Sequence, residues 1–107
     1  MKRFACHHLY VSTDGCYYKY VVELEENGAV GKYFPLVEEI SATLWIGGVI
    51  VLSPYPEIEI HPQEAFACFL RRVIVEMDTD EPVYAWHIAD FDFTQKDFKS
   101  TSKVTRL

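Results

Sequence analysis

The sequence predicts an α+β fold, in which a mainly antiparallel β-sheet or small β-sandwich of about five or six strands carries one amphipathic helix over residues 62–77. The first support is composition: aromatic residues make up 15% of the chain, and aromatic and β-branched side chains favour strands. The second is an alternating segment that ends in an Asn-Gly pair, and the third is an apolar stripe with helical spacing. A chain of 107 residues is the size of one domain, so we expect residues 1–107 to form a single unit.

The first 25 residues predict two strands. Residues 3–11 are rich in β-prone side chains and lead into Ser12–Gly15, where Asp and Gly favour a turn. Residues 17–25 alternate between two sets of side chains, which indicates a strand with one buried face. The side chains expected on that buried face are Tyr18, Tyr20, Val22 and Leu24.

Asn27-Gly28 is a strong signal for a two-residue hairpin, because both positions accept positive φ. The returning strand covers residues 29–34 and ends before Pro35, which has no N–H to donate to a neighbouring strand. The nearly continuous apolar run 43–52 predicts a strand that is covered on both faces. Within it, the adjacent glycines Gly47-Gly48 predict a β-bulge or a close approach by other backbone.

The segment His61-Pro62-Gln63-Glu64 predicts a helix start, since Pro suits the first helical position and Glu complements the helix dipole. The apolar residues that follow recur at helical spacing and are expected to be buried against the sheet. They are Phe66, Phe69, Leu70, Val73 and Met77. A last strand over residues 83–93 and a polar, basic C-terminal tail from about residue 94 complete the prediction.

Composition and charge argue against several classes of function. A net charge of -6 disfavours binding to the phosphates of nucleic acid. The longest strongly apolar run, Leu44 to Leu52, is too short to span a bilayer, so we expect no membrane association. The three cysteines have no paired spacing, and no apolar run follows Lys2 and Arg3 as in a secretory signal. We therefore expect a cytoplasmic protein with free thiols.

Two pairs of residues have side chains suited to chemistry. Cys6 and His8 are expected on one face of the first strand and can bind zinc, but a zinc site needs three or four ligands and no second such pair is present. Asp90 and Asp92 are expected on one face of the last strand, where carboxylates can act as acid and base or hold a cation. Charges at a solvated strand edge are the more common explanation. We assign no catalytic, cofactor-binding or metal-binding residue, expect no cofactor, and leave open whether either pair forms a site.

The order of elements in residues 3–54 resembles that of a known family. A strand from Arg3 to Val11 is followed by Val21-Val22-Glu23-Leu24, the Asn27-Gly28 turn and the strand Ala29 to Phe34. Then comes Leu44-Trp45-Ile46-Gly47-Gly48-Val49-Ile50-Val51-Leu52-Ser53-Pro54. This arrangement is similar to the N-terminal β-rich segment that precedes the barrel in metal-dependent amidohydrolases.

The resemblance implies a small β-sandwich-like domain without the catalytic barrel. The family places a His-x-His pair of metal ligands after this segment, where the present chain has Tyr55-Pro56-Glu57-Ile58. No metal ligand of the family can therefore be carried over, and we expect no amidohydrolase activity from this chain.

The function that we expect is that of a small non-catalytic interaction or accessory domain, which binds an unknown protein partner or a second copy of itself. The candidate surface residues are Tyr17, Tyr18, Tyr20 and Tyr55, since Tyr is enriched at interfaces. Packing between neighbouring strands is their alternative role. The alternative function is a small enzyme or ligand-binding domain with a pocket between helix and sheet. A flat aromatic surface favours the first hypothesis, and a pocket with convergent polar groups favours the second.

Overall fold

The computed structural model describes residues 2–13, 15–37, 43–74 and 82–107, which form seven strands and one helix. The helix α1 (Phe66–Val73) lies between the fifth and sixth strands in the chain. The strands are β1 (Lys2–Tyr10), β2 (Tyr17–Leu24), β3 (Val30–Pro35), β4 (Thr43–Trp45), β5 (Val49–Ser53), β6 (Tyr84–Asp92) and β7 (Asp97–Arg106).

All of the strands in these ranges belong to one mixed sheet, in the order β3-β2-β1-β5-β6-β7, with β4 also paired to β1. β1 runs parallel to β4 and β5, whereas the other neighbouring pairs are antiparallel. The α+β class and the mainly antiparallel sheet are therefore confirmed. The β-sandwich alternative is wrong, and the sheet has more strands than the five or six that we predicted.

Two differences account for the larger number of strands. The predicted strand 43–52 is divided into β4 and β5 by the Gly47-Gly48 pair. The segment that we expected to be a polar, basic tail is β7, which pairs with β6 along its length. β7 lies at the edge of the sheet, so many of its residues face solvent and its sequence lacks the apolar alternation of a half-buried strand.

The helix is shorter than predicted, because it begins at Phe66 and not at residue 62. Gln63 has a left-handed φ of 60°, which no helical residue adopts, so His61-Pro62-Gln63-Glu64 forms a turn ahead of the helix. The predicted burial of the stripe is confirmed for the four members within α1, and Met77 lies outside the described residues. The confirmed members are Phe66, Phe69, Leu70 and Val73.

Both faces of the sheet are covered, so the interior has two clusters. The first packs α1 against alternate residues of β5, such as Val49 and Val51, and against Phe91 of β6. The second contains the intervening residues of β5, Ile50 and Leu52, together with members from β1 and β2. The prediction that β2 has a single buried face, with Tyr18 on it, is therefore wrong. Val21 and Val22 are both fully buried, and Tyr18 is exposed.

The sheet is strongly curled. The N–H of Val30, on the edge strand β3, donates a hydrogen bond of 2.7 Å to the carbonyl of Val83, just before β6. Three strands separate β3 from β6 in the sheet order, so this bond forms only if the sheet bends back on itself. Val30 and Val83 both pack against the second cluster, which the curl therefore encloses. No helix in the described part of the chain is long and apolar enough to cross a membrane.

Candidate functional site

The Gly47-Gly48 pair forms a bulge at the point where β1 changes partner. β1 pairs with β4 as far as Ala5–Trp45 and with β5 from His8–Val49, so the β4–β5 path contains one extra residue. Both glycines have a left-handed φ of 64°. A Cβ at Gly48 would lie 2.8 Å from the carbonyl oxygen of Ile88, closer than such atoms approach one another. The predicted bulge and the predicted close approach by other backbone are both confirmed.

Two histidines contact this bulge, one from each of the strands that flank β5. The N–H of Gly48 donates to Nδ1 of His7 at 2.9 Å, which places the proton of the neutral His7 ring on Nε2. Nε2 of His87 lies 3.2 Å from the carbonyl oxygen of Gly47, and because a carbonyl only accepts, this nitrogen carries the proton. Burial lowers the pKa of His87, and the hydrogen bond to Gly47 opposes that effect in part.

A second irregularity, in β1, faces the glycine bulge. The N–H groups of His7 and His8 both donate to the carbonyl of Gly48, at 3.1 and 3.2 Å. Two successive N–H groups on one acceptor are the signature of a β-bulge, which re-aims the side chains next to it. Both imidazole rings consequently contact the same phenyl ring, that of Phe93, with centroid distances of 5.4 and 4.8 Å.

These contacts extend into a continuous group of five rings. His7 also packs against Trp45 at 4.8 Å, and His8 also packs against Tyr18 at 4.8 Å. All four contacts are edge-to-face, the arrangement that the quadrupoles of aromatic rings favour. We call this group the ring array, and its members are His7, His8, Tyr18, Trp45 and Phe93.

The ring array is a surface feature. The exposed fractions are 64% for Tyr18, 48% for Trp45 and 37% for Phe93. Phe93 packs against Phe91 of the first cluster, but no member of the array belongs to the cluster that α1 covers. The array therefore continues the helix-covered face of the sheet into a region open to solvent.

His8 is the most enclosed polar group of the array. Its Nδ1 is buried and has no hydrogen-bond partner among the described residues. Burial, the charge of His7 and the charge of Lys96 together lower the pKa of His8, with burial the largest cause. His8 is therefore neutral at physiological pH and behaves as one more ring of the surface.

Two lysines are neighbours of ring-array residues, one along the chain and the other through its charge. Lys19 follows Tyr18 on β2, and Lys96 lies in the turn between β6 and β7, where its charge acts on His8. Both have a left-handed φ of 52°. Neither has an ion-pair partner among the residues that the structure describes.

The four tyrosines predicted from the sequence fall in three places. Tyr18 belongs to the ring array. Tyr17 and Tyr20 stack on each other at 4.6 Å, with Tyr33 beside them, as expected for packing between neighbouring strands. Tyr55 is exposed and lies elsewhere, after the end of β5. Sequence reasoning missed the other exposed rings of the array, because the bulge at His7 and His8 in β1 leaves no trace in the alternation of residues.

Asp90 and Asp92 have different interaction partners in the structure. Oδ1 of Asp92 accepts the N–H groups of Thr94 and Gln95 at 3.0 and 3.1 Å, which stabilises the β6–β7 turn. Asp90 has a left-handed φ of 60° at a register shift and accepts a hydrogen bond from the Thr101 hydroxyl. Each carboxylate thus has a local structural role.

Cys6 and His8 are also separated, contrary to the expectation that they share a face. Cys6 is buried in the second cluster, and its thiol donates to the carbonyl of Tyr20 at 3.7 Å. Burial raises the pKa of Cys6 to about 12, so the thiolate needed for metal binding or nucleophilic attack does not form near neutral pH. In the described ranges, no group of three or more His, Cys, Asp or Glu side chains is placed to hold a metal ion.

The grooves that the described residues line are open to solvent. One of about 490 Å³ lies beside the residue 57–61 segment and is lined by Arg72 and Trp86. Arg72 donates to both carboxylate oxygens of Glu64, at 3.0 and 2.8 Å, so its charge is already paired. No family model, curated protein or solved structure matches this chain.

Proposed function

We propose that this chain is a non-catalytic interaction domain and that the ring array is the surface with which it binds a protein partner. The observation that supports the proposal is the exposure of three large aromatic side chains in one continuous group, outside the cover of α1. Tyr and Trp are the residue types that contribute most binding energy at protein interfaces. Contiguous exposed apolar surface of this kind is typical of interaction sites.

The geometry of the array also suits docking better than catalysis. His7 has one ring nitrogen engaged by Gly48, and Nδ1 of His8 is buried. Cys6, the nearest thiol in the strand, is protonated and enclosed. The array thus offers a broad apolar surface, and none of these three side chains is an activated nucleophile.

A test compares the proteins captured from the native cell by the wild type and by Trp45→Ala. We expect a partner that the wild type retains and Trp45→Ala loses, with both proteins folded by circular dichroism. Tyr55→Ala is the matched control, because Tyr55 is similarly exposed but lies outside the array. Identical capture by all three proteins would overturn the proposal.

One observation favours the alternative of a ligand-binding domain. The indole Nε1 of Trp86 is buried without a hydrogen-bond partner in the described residues, and Trp86 lines the groove beside Arg72. A ligand with an acceptor atom would satisfy that N–H. Trp86→Phe keeps an aromatic ring and removes the N–H, so a small-molecule screen by thermal shift should give hits that this variant loses.

The resemblance to the segment that precedes the amidohydrolase barrel is compatible with both hypotheses and remains a prediction. Under the main proposal, the chain would act as an accessory unit without hydrolytic activity of its own. The check is an assay of amide and cyclic-amide substrates with added zinc, manganese or iron. Turnover by the wild type that disappears in Glu57→Ala or His61→Ala protein would contradict the expected lack of hydrolytic activity.

A further inference from the structure

One peptide unit of the glycine bulge has both of its polar groups in contact with histidine side chains. This unit joins Gly47 to Gly48, and its N–H donates to Nδ1 of His7 at 2.9 Å. Its carbonyl oxygen lies 3.2 Å from Nε2 of His87, which comes from the strand on the other side of β5. Within the described residues, neither group has a backbone hydrogen-bond partner. The orientation of this peptide unit therefore depends on two imidazole rings.

The backbone on both sides of this unit is fixed by hydrogen bonds. The N–H groups of Ile46 and Gly47 both donate to the carbonyl of Ala5, and the carbonyl of Gly48 accepts two successive N–H groups of β1. The unit between these anchors can turn over by changing only ψ of Gly47 and φ of Gly48. Glycine adopts positive and negative φ about equally readily, so neither orientation strains the backbone at these two residues. The bulge thus contains an element with two accessible states.

The two rings respond differently to acid. Protonation of His7 places a hydrogen on Nδ1, the nitrogen that accepts from Gly48, so that two donors would face each other. His7 is exposed and can take up a proton from solvent. Nε2 of His87 already carries a proton, and burial lowers the pKa of His87, so this ring stays neutral to lower pH. Mild acid therefore acts at the N–H end of the unit.

We propose that the Gly47–Gly48 peptide unit is a pH-sensitive switch, which turns over when His7 takes up a proton. In the acid state, the carbonyl of Gly47 accepts from the protonated Nδ1 of His7, and the N–H of Gly48 points to His87. The neutral ring of His87 then gives up its Nε2 proton and takes one on Nδ1, so that Nε2 accepts the N–H of Gly48. Both polar groups of the unit have a partner in both states, and the net uptake is one proton.

The other charged and titratable groups that the structure places around His7 do not oppose this change. His8 is its neighbour on β1, and Lys96 acts on His8 through its charge. Burial lowers the pKa of His8, and the charge of His7 lowers it further, so a protonated His7 favours a neutral His8. From β6, His87 contacts the switch itself, whereas Asp92 accepts the N–H groups of its own turn. The switch therefore responds to a single histidine.

The switch changes the ring array without dismantling it. The His7 ring packs against Trp45 and Phe93, with centroid distances of 4.8 and 5.4 Å. Because Nδ1 of His7 has a partner in both states, the ring keeps its place and only its charge changes. The switch is a property of the folded chain, so it goes beyond the proposed function and does not depend on whether the array binds a partner.

The test follows the isotopically labelled full chain by NMR from about pH 8 to about pH 5, the range in which histidines titrate. Scalar coupling across the N–H···N hydrogen bond reports the contact between Gly48 and His7. The Overhauser effect between Hα of Gly47 and the N–H of Gly48 reports the orientation of the unit. Ring nitrogen shifts report the protonation of His7 and the tautomer of His87.

Two variants accompany the wild type. His7→Gln keeps an acceptor for the N–H of Gly48 but does not titrate. His61→Gln is the matched control, because His61 is also an exposed histidine but lies outside the bulge.

We expect the coupling at the upper pH and its loss at the lower pH, with the same midpoint as the titration of the His7 ring. Over the same range, the Overhauser effect should change, and the tautomer of His87 should change from Nε2–H to Nδ1–H. His7→Gln should show neither change, and His61→Gln should behave as the wild type.

Coupling that persists after His7 is protonated overturns the proposal, as does a His7 ring that takes up no proton down to about pH 5. Loss of coupling without a change in the Overhauser effect or in the His87 tautomer also overturns it, because the unit has then not turned over. The same changes in His7→Gln protein would assign them to another group, with the same consequence. If His7→Gln does not fold, the wild-type titration decides by itself.

Discussion

The N–H of Phe66, in the first turn of α1, donates a hydrogen bond of 2.8 Å to the carboxylate of Asp97, which opens β7. Ala65 at the N-cap has no side chain that can cap the helix. A residue at the start of the last strand therefore performs the capping that usually comes from the helix's own sequence.

Removing this distant cap should destabilise the protein. Asp97→Ala leaves the N–H of Phe66 without its acceptor and should lower the free energy of unfolding by about 1 kcal/mol. Asp97→Asn keeps an acceptor oxygen and should retain most of the stability. Urea denaturation of the three proteins measures the difference, and equal midpoints for wild type and Asp97→Ala would show that the cap contributes nothing.

Phe69 should be the most sensitive position of α1. It is fully buried and contacts the rings of Phe66 and Phe98, at 6.3 and 5.2 Å. Phe69→Ala should cost about 3–5 kcal/mol in the free energy of unfolding, because the cavity cannot fill completely. The neighbouring Cys68→Ala is the control, since Cys68 is exposed and its loss should change stability by less than about 0.5 kcal/mol. An unchanged denaturation midpoint in Phe69→Ala would rule out this packing.

Gly48 should tolerate no side chain. Gly48→Ala combines a left-handed φ with a Cβ placed 2.8 Å from the Ile88 carbonyl oxygen, and should cost at least about 2 kcal/mol. Gly15→Ala is the matched control, because a Cβ there meets no atom within 4 Å and φ is not left-handed. If the two variants unfold at the same denaturant concentration, the bulge is less rigid than the structure indicates.

His87 should make stability depend on pH below neutrality. Its folded pKa is lowered by burial, so the unfolded chain takes up a proton first as the pH falls, and stability decreases below the ordinary histidine pKa. His87→Gln can still donate to the Gly47 carbonyl and does not titrate. Its stability should fall less than that of the wild type between about pH 7 and pH 5.5, as measured by denaturation at each pH. His61→Gln, at an exposed histidine, is the control, and identical slopes in all three proteins would contradict the prediction.

Glu23 should also make the stability of the protein decrease as the pH falls, but in a lower pH range than His87. A hydrogen bond from Arg3 is the largest cause that lowers its pKa, and the charge of Lys32 adds to the effect. The contribution of Glu23 to stability is complete above the ordinary Glu pKa, and it is lost as the pH falls through the pKa that Glu23 has in the folded protein. Between about pH 5 and pH 3, the wild type should therefore lose more stability than Glu23→Gln. If Glu23→Gln lost more stability than the wild type over this pH range, the prediction would be wrong.

The sequence predicted the elements whose pattern depends on local geometry. The stripe that includes Phe69 identified the buried face of α1, and Gly47-Gly48 identified the bulge, because each signal follows from a single helix turn or a single backbone constraint. β7 was missed because an edge strand buries few of its side chains. The helix start was misplaced because Pro62 and Glu64 serve the preceding turn, in which Gln63 is left-handed.

The ring array was not predictable, because its members come from separate parts of the chain. Tyr18 and Trp45 lie on strands that pair with β1 on its two sides, and Phe93 follows β6, two strands away from β1 in the sheet, so only the tertiary fold brings them together. The side-chain directions of His7 and His8 depend on the bulge in β1, which no pattern in the sequence of that strand predicts. Only the tyrosine content suggested an aromatic surface, and it identified one of the five rings.

The bond between Val30 and Val83 also bears on how copies of this chain behave at high concentration. An open sheet presents unpaired strand edges that can recruit strands from other molecules and begin aggregation. Here the curl joins the start of β3 to the segment before β6, and Pro35 ends β3 at its other end. The outer edge of β3 is thus reduced to a few residues that include Lys32, and the opposite edge strand carries Lys99 and Lys103. Strand-to-strand polymerisation is therefore disfavoured at the β3 and β7 edges of the sheet.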